Sequence, residues 1–301
     1  MAPSLVDQVE VIGFLLTGAF WLPFLAAALH PLLSWCVQSG SAAGVRLGFI
    51  VGVANLLTAI ICLLYLRPEN LFPLHGKDWW AVGNGLIFFC GQWFSIQSVK
   101  SGDIAVHSSA LGIKLLIVGF FSFLVGLEAA SLGLIAGVIL AVIAVYLVAG
   151  GSREGWLSHR RTVGLTVVAC LFFGMNDFLT GWQAREIGAA RWLCLMLGTS
   201  GVVSLGLLAR RVNSFGVFRE KPKIDLVVIG AGLALGLQAL LVNLALSGFG
   251  EPTQTNVIYS SRGVLAVAFL WLIGRKSDPF FRKKQLCGSI LMVLALAMVV
   301  F

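Results

Sequence analysis

Apolar segments of about 20 residues, the length that a transmembrane helix needs, follow one another along almost the whole 301-residue chain. These segments are too long for the strands of a membrane barrel. Hydrophobic residues make up 58% of the sequence and charged residues 11%, whereas a soluble domain has roughly 25% charged residues. The six cysteines form no C-x-x-C pair. The sequence therefore predicts an all-α integral membrane protein and excludes soluble, disordered and disulfide-scaffold classes.

Ten such segments predict ten transmembrane helices. The first is expected to be retained, because Asp7 and Glu10 precede it where a cleaved signal peptide carries basic residues. The predicted helices span 11–33, 45–66, 80–98, 104–126, 132–149, 163–184, 192–209, 225–247, 253–273 and 284–301.

The two halves of the chain, 1–150 and 151–301, resemble each other. A shift of 148 residues aligns glycines and two cations in one register: Gly102 with Gly250, Lys114 with Arg262, and Gly126 with Gly274. A repeat of five helices, an odd number, inserts upside down relative to its copy. The sequence therefore predicts two inverted five-helix repeats joined by a linker at 150–155, an architecture of transporters with the substrate site between the halves.

A charged residue in the middle of a membrane-spanning segment costs free energy and therefore indicates a structural or functional role. Lys114 and Arg262 lie near the centres of predicted helices four and nine, and Asp177 lies at mid-depth in helix six. One interpretation is structural, with Asp177 neutralising one cation. The other is functional, because two cations against one anion favour an anionic ligand group.

Nine residues form the predicted substrate site, and no metal or cofactor is expected with them. Cationic, aromatic and amide groups in this set would bind and orient a polar solute, and Trp93 would wall the cavity. They are Lys114, Arg262, His107, Tyr259, Asn256, Asp177, Asn176, Gln92 and Trp93. Helices three and eight add Asn84, Gln97, Gln238 and Asn243 to the polar set, whereas His30, His75 and His159 are expected at helix ends or in loops.

Two five-helix repeats, with Gly126-Leu127-Glu128 ending helix four before a glycine-containing fifth helix, resemble the drug/metabolite transporter superfamily and its EamA-type members. The resemblance covers essentially the whole chain and implies secondary transport by alternating access. The plastid phosphate translocators of that superfamily are similar in placing a Lys on helix four and a Lys-Arg pair on helix nine. Lys114 and Arg262 match them, whereas Ser261 stands where the Lys of the pair would be.

These observations predict a secondary transporter, not an enzyme, in the inner cell membrane. The expected partners are the lipid bilayer, a small anionic or zwitterionic metabolite, and a coupling proton or counter-substrate, with no nucleic acid. The alternative is an exporter of cationic drugs or amines that uses Asp177 and aromatic walls. A scaffold or sensor would need a soluble partner domain or long tails.

Basic residues are distributed unequally between the two sides of the predicted bundle. Loops after the odd-numbered helices hold fifteen Lys and Arg residues, and the opposite side holds four. The positive-inside rule then places the odd-numbered loops in the cytoplasm and both termini outside. The family resemblance argues for cytoplasmic termini, but over such short loops we follow the charge asymmetry.

Overall fold

The computed structural model describes residues 18–66, 71, 73–124, 132–148, 153–209, 222–249, 252–274 and 279–300. All regular secondary structure in these ranges is helical, which confirms the predicted class. Seven helical stretches are long and apolar enough to cross a membrane, so the protein is a multi-pass membrane protein. They are Gly18–Ala42, Leu47–Leu64, Ile104–Phe121, Leu157–Ile187, Ala189–Leu208, Leu226–Gly248 and Thr255–Leu272.

The described ranges contain twelve α-helices, numbered here in chain order. They are α1 (Gly18–Ala42), α2 (Leu47–Leu66), α3 (Asp78–Ser101), α4 (Ile104–Ala110), α5 (Lys114–Leu124), α6 (Leu132–Val148), α7 (Arg153–Ile187), α8 (Ala189–Ala209), α9 (Pro222–Phe249), α10 (Pro252–Ser260), α11 (Arg262–Leu272) and α12 (Pro279–Val300). A 3₁₀ turn, Leu111–Ile113, joins α4 to α5, and Ser261 separates α10 from α11.

Helix α1 continues well beyond the end that the sequence predicts. It runs to Ala42 although Pro23 and Pro31 lie inside it. Proline removes a backbone hydrogen bond and often ends a soluble helix, but neighbouring helices allow prolines inside membrane helices. His30 is therefore buried inside the helix, and the prediction that it lies at a helix end or in a loop is wrong.

Two of the predicted helices change their backbone hydrogen bonding near the middle. Lys114 is the first residue of α5, after the 3₁₀ turn, and Arg262 is the first residue of α11. The two positions are 148 residues apart, the shift that aligns the halves of the sequence. Each cation therefore follows a local irregularity inside a helical stretch that is long and apolar enough to cross a membrane.

The two halves of the chain share their hydrophobic cores. All five clusters of buried apolar residues in the described ranges take members from both sides of residue 150. One cluster, for example, packs Phe49 of α2 and Ile96 of α3 against Leu235 of α9. The halves therefore form one packed body. The boundary predicted at 150 lies in 149–152, outside the described residues.

Polar contacts show which helix ends lie together. At one end, the Gln38 side chain of α1 donates to the carbonyl of Gly102 at 2.6 Å, and Gln285 of α12 donates to Asp103 at 3.3 Å. At the opposite end, Arg191 of α8 pairs with Asp78 at the start of α3. These two sets of contacts fix opposite ends of the bundle.

Candidate substrate-binding cavity

A polar cavity lies inside the helical bundle, between α1, α3, α5, α7, α9, α10 and α11. Its volume, counted as the space open to the centres of water molecules, is about 50 Å³. This leaves room for roughly four water molecules. Polar side chains dominate its lining: His30, Gln92, Ser95, Lys114, Asn176, Asp177, Gln238, Asn243, Tyr259 and Arg262. A cavity of this size and polarity suits a small hydrophilic solute.

Lys114 and Asp177 form a buried ion pair in the cavity wall. The Lys114 Nζ lies 2.5 Å from the Asp177 Oδ2, and the two side chains are 6% and 4% exposed. Asn176 donates from its amide nitrogen to the other carboxylate oxygen of Asp177, at 3.1 Å. Asp177 therefore neutralises one of the two cations, as the structural interpretation of the sequence expected.

Arg262 is the second buried cation, and no carboxylate in the described ranges pairs with it. Its Nη2 donates to the carbonyl oxygen of Leu111 in the 3₁₀ turn, at 2.8 Å. Its guanidinium carbon lies 4.1 Å from the centre of the Tyr259 ring, and Lys114 Nζ lies 5.0 Å from the same ring. Arg262 therefore has a carbonyl and a ring face as partners, and its charge is not neutralised.

Three amide side chains line the cavity, and two of them leave their oxygens unpartnered. Gln238 donates from its amide nitrogen to the Tyr259 hydroxyl, Asn243 to the carbonyl of Ala239, and Asn176 to Asp177. The Gln238 side chain also contacts the His30 ring. The carbonyl oxygens of Asn176 and Asn243 are buried without a hydrogen-bond partner, as is the Nε of Arg262. Because buried polar atoms are nearly always hydrogen-bonded, this concentration in one cavity points to a ligand.

Six of the nine predicted site residues line the cavity: Gln92, Lys114, Asn176, Asp177, Tyr259 and Arg262. His107 lies outside it, in a polar cluster with Ser95, Ser98 and Thr166. The sequence placed His107 and Lys114 on one face of a continuous helix. The two side chains differ in their partners, because Ser95, Ser98 and Thr166 contact the His107 ring whereas Asp177 pairs with Lys114.

Asn256 and Trp93 also lie outside the cavity lining. Asn256 is buried on α10, where its carbonyl accepts a hydrogen bond from Ser260 one turn later. Trp93 packs against the hydrophobic cluster formed by α1, α2, α3 and α9. In this conformation neither side chain lines the cavity, so no direct contact supports their predicted role in substrate binding.

Sequence reasoning missed His30 and left Gln238 and Asn243 outside the predicted site. Both amides are polar residues inside an apolar segment, and that signal was sufficient to include them. His30 carries the same signal, but it lies three residues before residue 33, where the first helix was predicted to end. Its ring stacks on His107, with centroids 5.7 Å apart, and links the cavity to the His107 cluster.

No protein-family model and no curated protein matches the chain. The fold is similar to that of a solved structure described only as "Crystal structure of protein". The two chains are 16% identical, the similarity covers 93% of this chain and 95% of that one, and the TM-score is 0.61. At this level of identity the likeness shows a shared helical fold.

Proposed function

We propose that the protein is a secondary transporter that carries a small organic anion across the inner cell membrane by alternating access. Arg262 carries the proposal, because it is a buried cation, without a carboxylate partner in the described ranges, on the wall of a polar cavity. The proposal includes membership of the drug/metabolite transporter superfamily, ten transmembrane helices and two inverted repeats. It includes no enzymatic activity.

The charge balance of the cavity supports an anionic solute. Lys114 and Asp177 cancel each other, which leaves the single positive charge of Arg262. A buried charge is costly unless an opposite charge compensates it. A monoanion would supply that compensation, and Arg is suited to a carboxylate because its planar group can donate two parallel hydrogen bonds.

The helix irregularities at the cavity support transport rather than a purely structural role. In many transporters, irregular helices place backbone groups at the substrate site between two repeats. Here the Leu111 carbonyl of the 3₁₀ turn accepts from Arg262, and Leu111, Lys114 and Arg262 all line the cavity. The alternative export of cationic amines through Asp177 is less favoured, because Lys114 already occupies that carboxylate at 2.5 Å.

The pairing of Asp177 also bears on the coupling mechanism. The Asp177 carboxylate is already paired with the Lys114 ammonium at 2.5 Å and accepts from the Asn176 amide at 3.1 Å, so this buried pair would have to open in every cycle that used Asp177. We therefore favour exchange against a counter-substrate over proton coupling at this residue.

The test is anion transport by purified protein in liposomes, with Arg262→Gln as the variant. We expect the wild type to exchange short carboxylates and the variant to lose this exchange while remaining folded. Lys77→Gln is the control, because Lys77 is an exposed cation paired with Glu186 far from the cavity. Normal carboxylate exchange in the Arg262 variant, or exchange of amines alone by the wild type, would overturn the proposal.

A further inference from the structure

We infer that the transported solute is a small hydroxycarboxylate, bound with its carboxylate at Arg262 and its hydroxyl groups at the amide oxygens of Asn176 and Asn243. The inference rests on the proposed function and deepens it. It uses the unpartnered polar atoms of the cavity, because these atoms indicate which hydrogen-bonding groups the solute carries in addition to the sign of its charge.

The first step is that the amides present acceptors. Each of the three amide nitrogens already donates to a protein group, namely Asp177, the Tyr259 hydroxyl or the carbonyl of Ala239. The oxygens of Asn176 and Asn243, which have no partner, can only accept. A solute that fits must therefore bring hydrogen-bond donors, and a bare carboxylate would leave the amide oxygens unsatisfied at a cost.

The second step separates hydroxyl donors from an ammonium group. The cavity already holds Lys114 and Arg262 against the single carboxylate of Asp177, and both cations approach the ring of Tyr259. An ammonium would add a third positive charge to this enclosed space. A hydroxyl group donates without adding charge, so the arrangement favours hydroxyl over amino substituents.

The third step concerns the anionic end. The Nε of Arg262 is unpartnered, and this side chain lines the cavity. Its N–H can therefore donate to a carboxylate oxygen of the solute. The single uncompensated positive charge of Arg262 matches the single negative charge of a carboxylate. A phosphate dianion would bring one negative charge more than Arg262 compensates.

The experiment compares solutes that share a three-carbon carboxylate skeleton: propanoate, lactate, glycerate and alanine. Their dissociation constants would be measured calorimetrically with the purified full-length protein. We expect glycerate to bind roughly tenfold more tightly than propanoate, as about 1.4 kcal/mol of added hydrogen bonding would give. Lactate should lie between them, and alanine should bind more weakly than lactate.

The variant Asn243→Leu removes one acceptor at nearly constant volume. We expect it to reduce the preference for glycerate over propanoate from roughly tenfold to roughly threefold, because one acceptor is lost and the other is kept. Ser247→Ala is the matched control, because Ser247 lies one turn further along α9, donates to the Asn243 carbonyl, and does not line the cavity. This control should keep the wild-type preference.

The outcomes separate the two proposals. If the carboxylates bind equally and Arg262→Gln abolishes their binding, the anion site stands and the hydroxycarboxylate inference fails. Tighter binding of alanine than of lactate, or of glycerol 3-phosphate than of glycerate, would also overturn the inference. If none of these anions binds, both proposals fail.

Discussion

At the scale of single residues, the Lys114–Asp177 pair governs which substitutions the cavity tolerates. The two side chains are almost completely buried and lie 2.5 Å apart. Removing one partner of such a pair leaves a buried charge without compensation. Replacing both with neutral groups removes both charges and avoids that penalty.

We therefore expect Lys114→Gln and Asp177→Asn each to lower the free energy of unfolding by about 3–5 kcal/mol. The double variant should recover most of this loss. Thermal unfolding of the purified proteins measures the effect. The exposed pair Lys77–Glu186 provides the control, since neutralising it should change stability by less than about 1 kcal/mol. A double variant that is as unstable as the sum of the single ones would contradict the pairing.

The residues that could be predicted from the sequence are those that stand out from an apolar background. Lys114, Asp177 and Arg262 were found in this way, and all three line the cavity. The amide side chains around them were harder to predict, because the sequence does not show which amide nitrogens already donate a hydrogen bond to a protein group. His30 was missed for a related reason: α1 continues to Ala42, beyond its predicted end at residue 33, and this depends on neighbouring helices that a single segment does not reveal.

At the scale of helices, close approach between α3 and α8 depends on Gly85. A Cβ atom at this position would lie 2.3 Å from the carbonyl oxygen of Met196 and 2.7 Å from the Cβ of Thr199. The backbone oxygen cannot move without shifting α8. Gly83, two residues earlier in α3, has no atom within 4 Å of its ideal Cβ.

These two glycines make a matched pair of alanine substitutions. We expect Gly85→Ala to destabilise the protein by about 1–3 kcal/mol, the usual cost of overpacking. Gly83→Ala should be neutral or slightly stabilising, because alanine favours a helix more than glycine does. The thermal unfolding midpoints of the two variants measure the difference. Equal midpoints would contradict the α3–α8 contact.

A second contact between α3 and α8 is electrostatic. Arg191 donates from Nε and Nη2 to both carboxylate oxygens of Asp78, at 2.9 and 2.6 Å, and the backbone N–H of His75 donates to the same group at 2.7 Å. The hydrogen bonds from Arg191, assisted by the one from His75, lower the pKa of Asp78 from its ordinary 3.8 to about 2.

A lowered carboxyl pKa stabilises the folded protein when the pH is above the unfolded value, and this contribution is lost as the pH falls through the folded value. We therefore expect Asp78→Asn to lower the Tm by about 3 °C at pH 7. The difference from the wild type should shrink as the pH falls from about 4 to about 2. A difference that is constant across this range would show that Asp78 acts through packing and not through its charge.

The 3₁₀ turn inside the fourth predicted helix could not be predicted from hydropathy. Residues 104–126 and 253–273 read as continuous apolar runs, and nothing in the local composition marks Leu111–Ile113 as a 3₁₀ turn. The turn contacts a distant residue, because the Leu111 carbonyl accepts from Arg262, 151 positions later in the chain. Local irregularities that involve such tertiary partners lie beyond single-segment reasoning.

At the scale of the whole molecule, the structure groups the helix ends into two sets. The end that holds Gln38, Gly102 and Asp103 also holds the start of α7, because Ser98 of α3 donates to the Thr162 carbonyl at 2.8 Å. The connections at this end are those that the sequence shows to be rich in Lys and Arg. The end with Asp78 and Arg191 has few basic residues.

The positive-inside rule then predicts that the basic end faces the cytoplasm. In a cysteine-free background, we expect Gly76→Cys to react with an impermeant thiol reagent added to intact cells. Ala43→Cys should react only after lysis. Both positions are exposed, and Ser214→Cys, in a segment outside the described residues, should behave like Ala43→Cys. The reverse labelling pattern would place both termini in the cytoplasm, as the family resemblance suggests.

The hydrogen bond from Arg262 to Leu111 joins a side chain of one half of the chain to a backbone atom of the other. An amide carbonyl vibrates at a lower frequency while it accepts a strong hydrogen bond. Any solute that draws the guanidinium toward itself must weaken this bond and raise that frequency. An isotopic label on the Leu111 carbonyl would therefore make occupancy of the cavity visible in the infrared spectrum, from an atom that the solute itself need not touch.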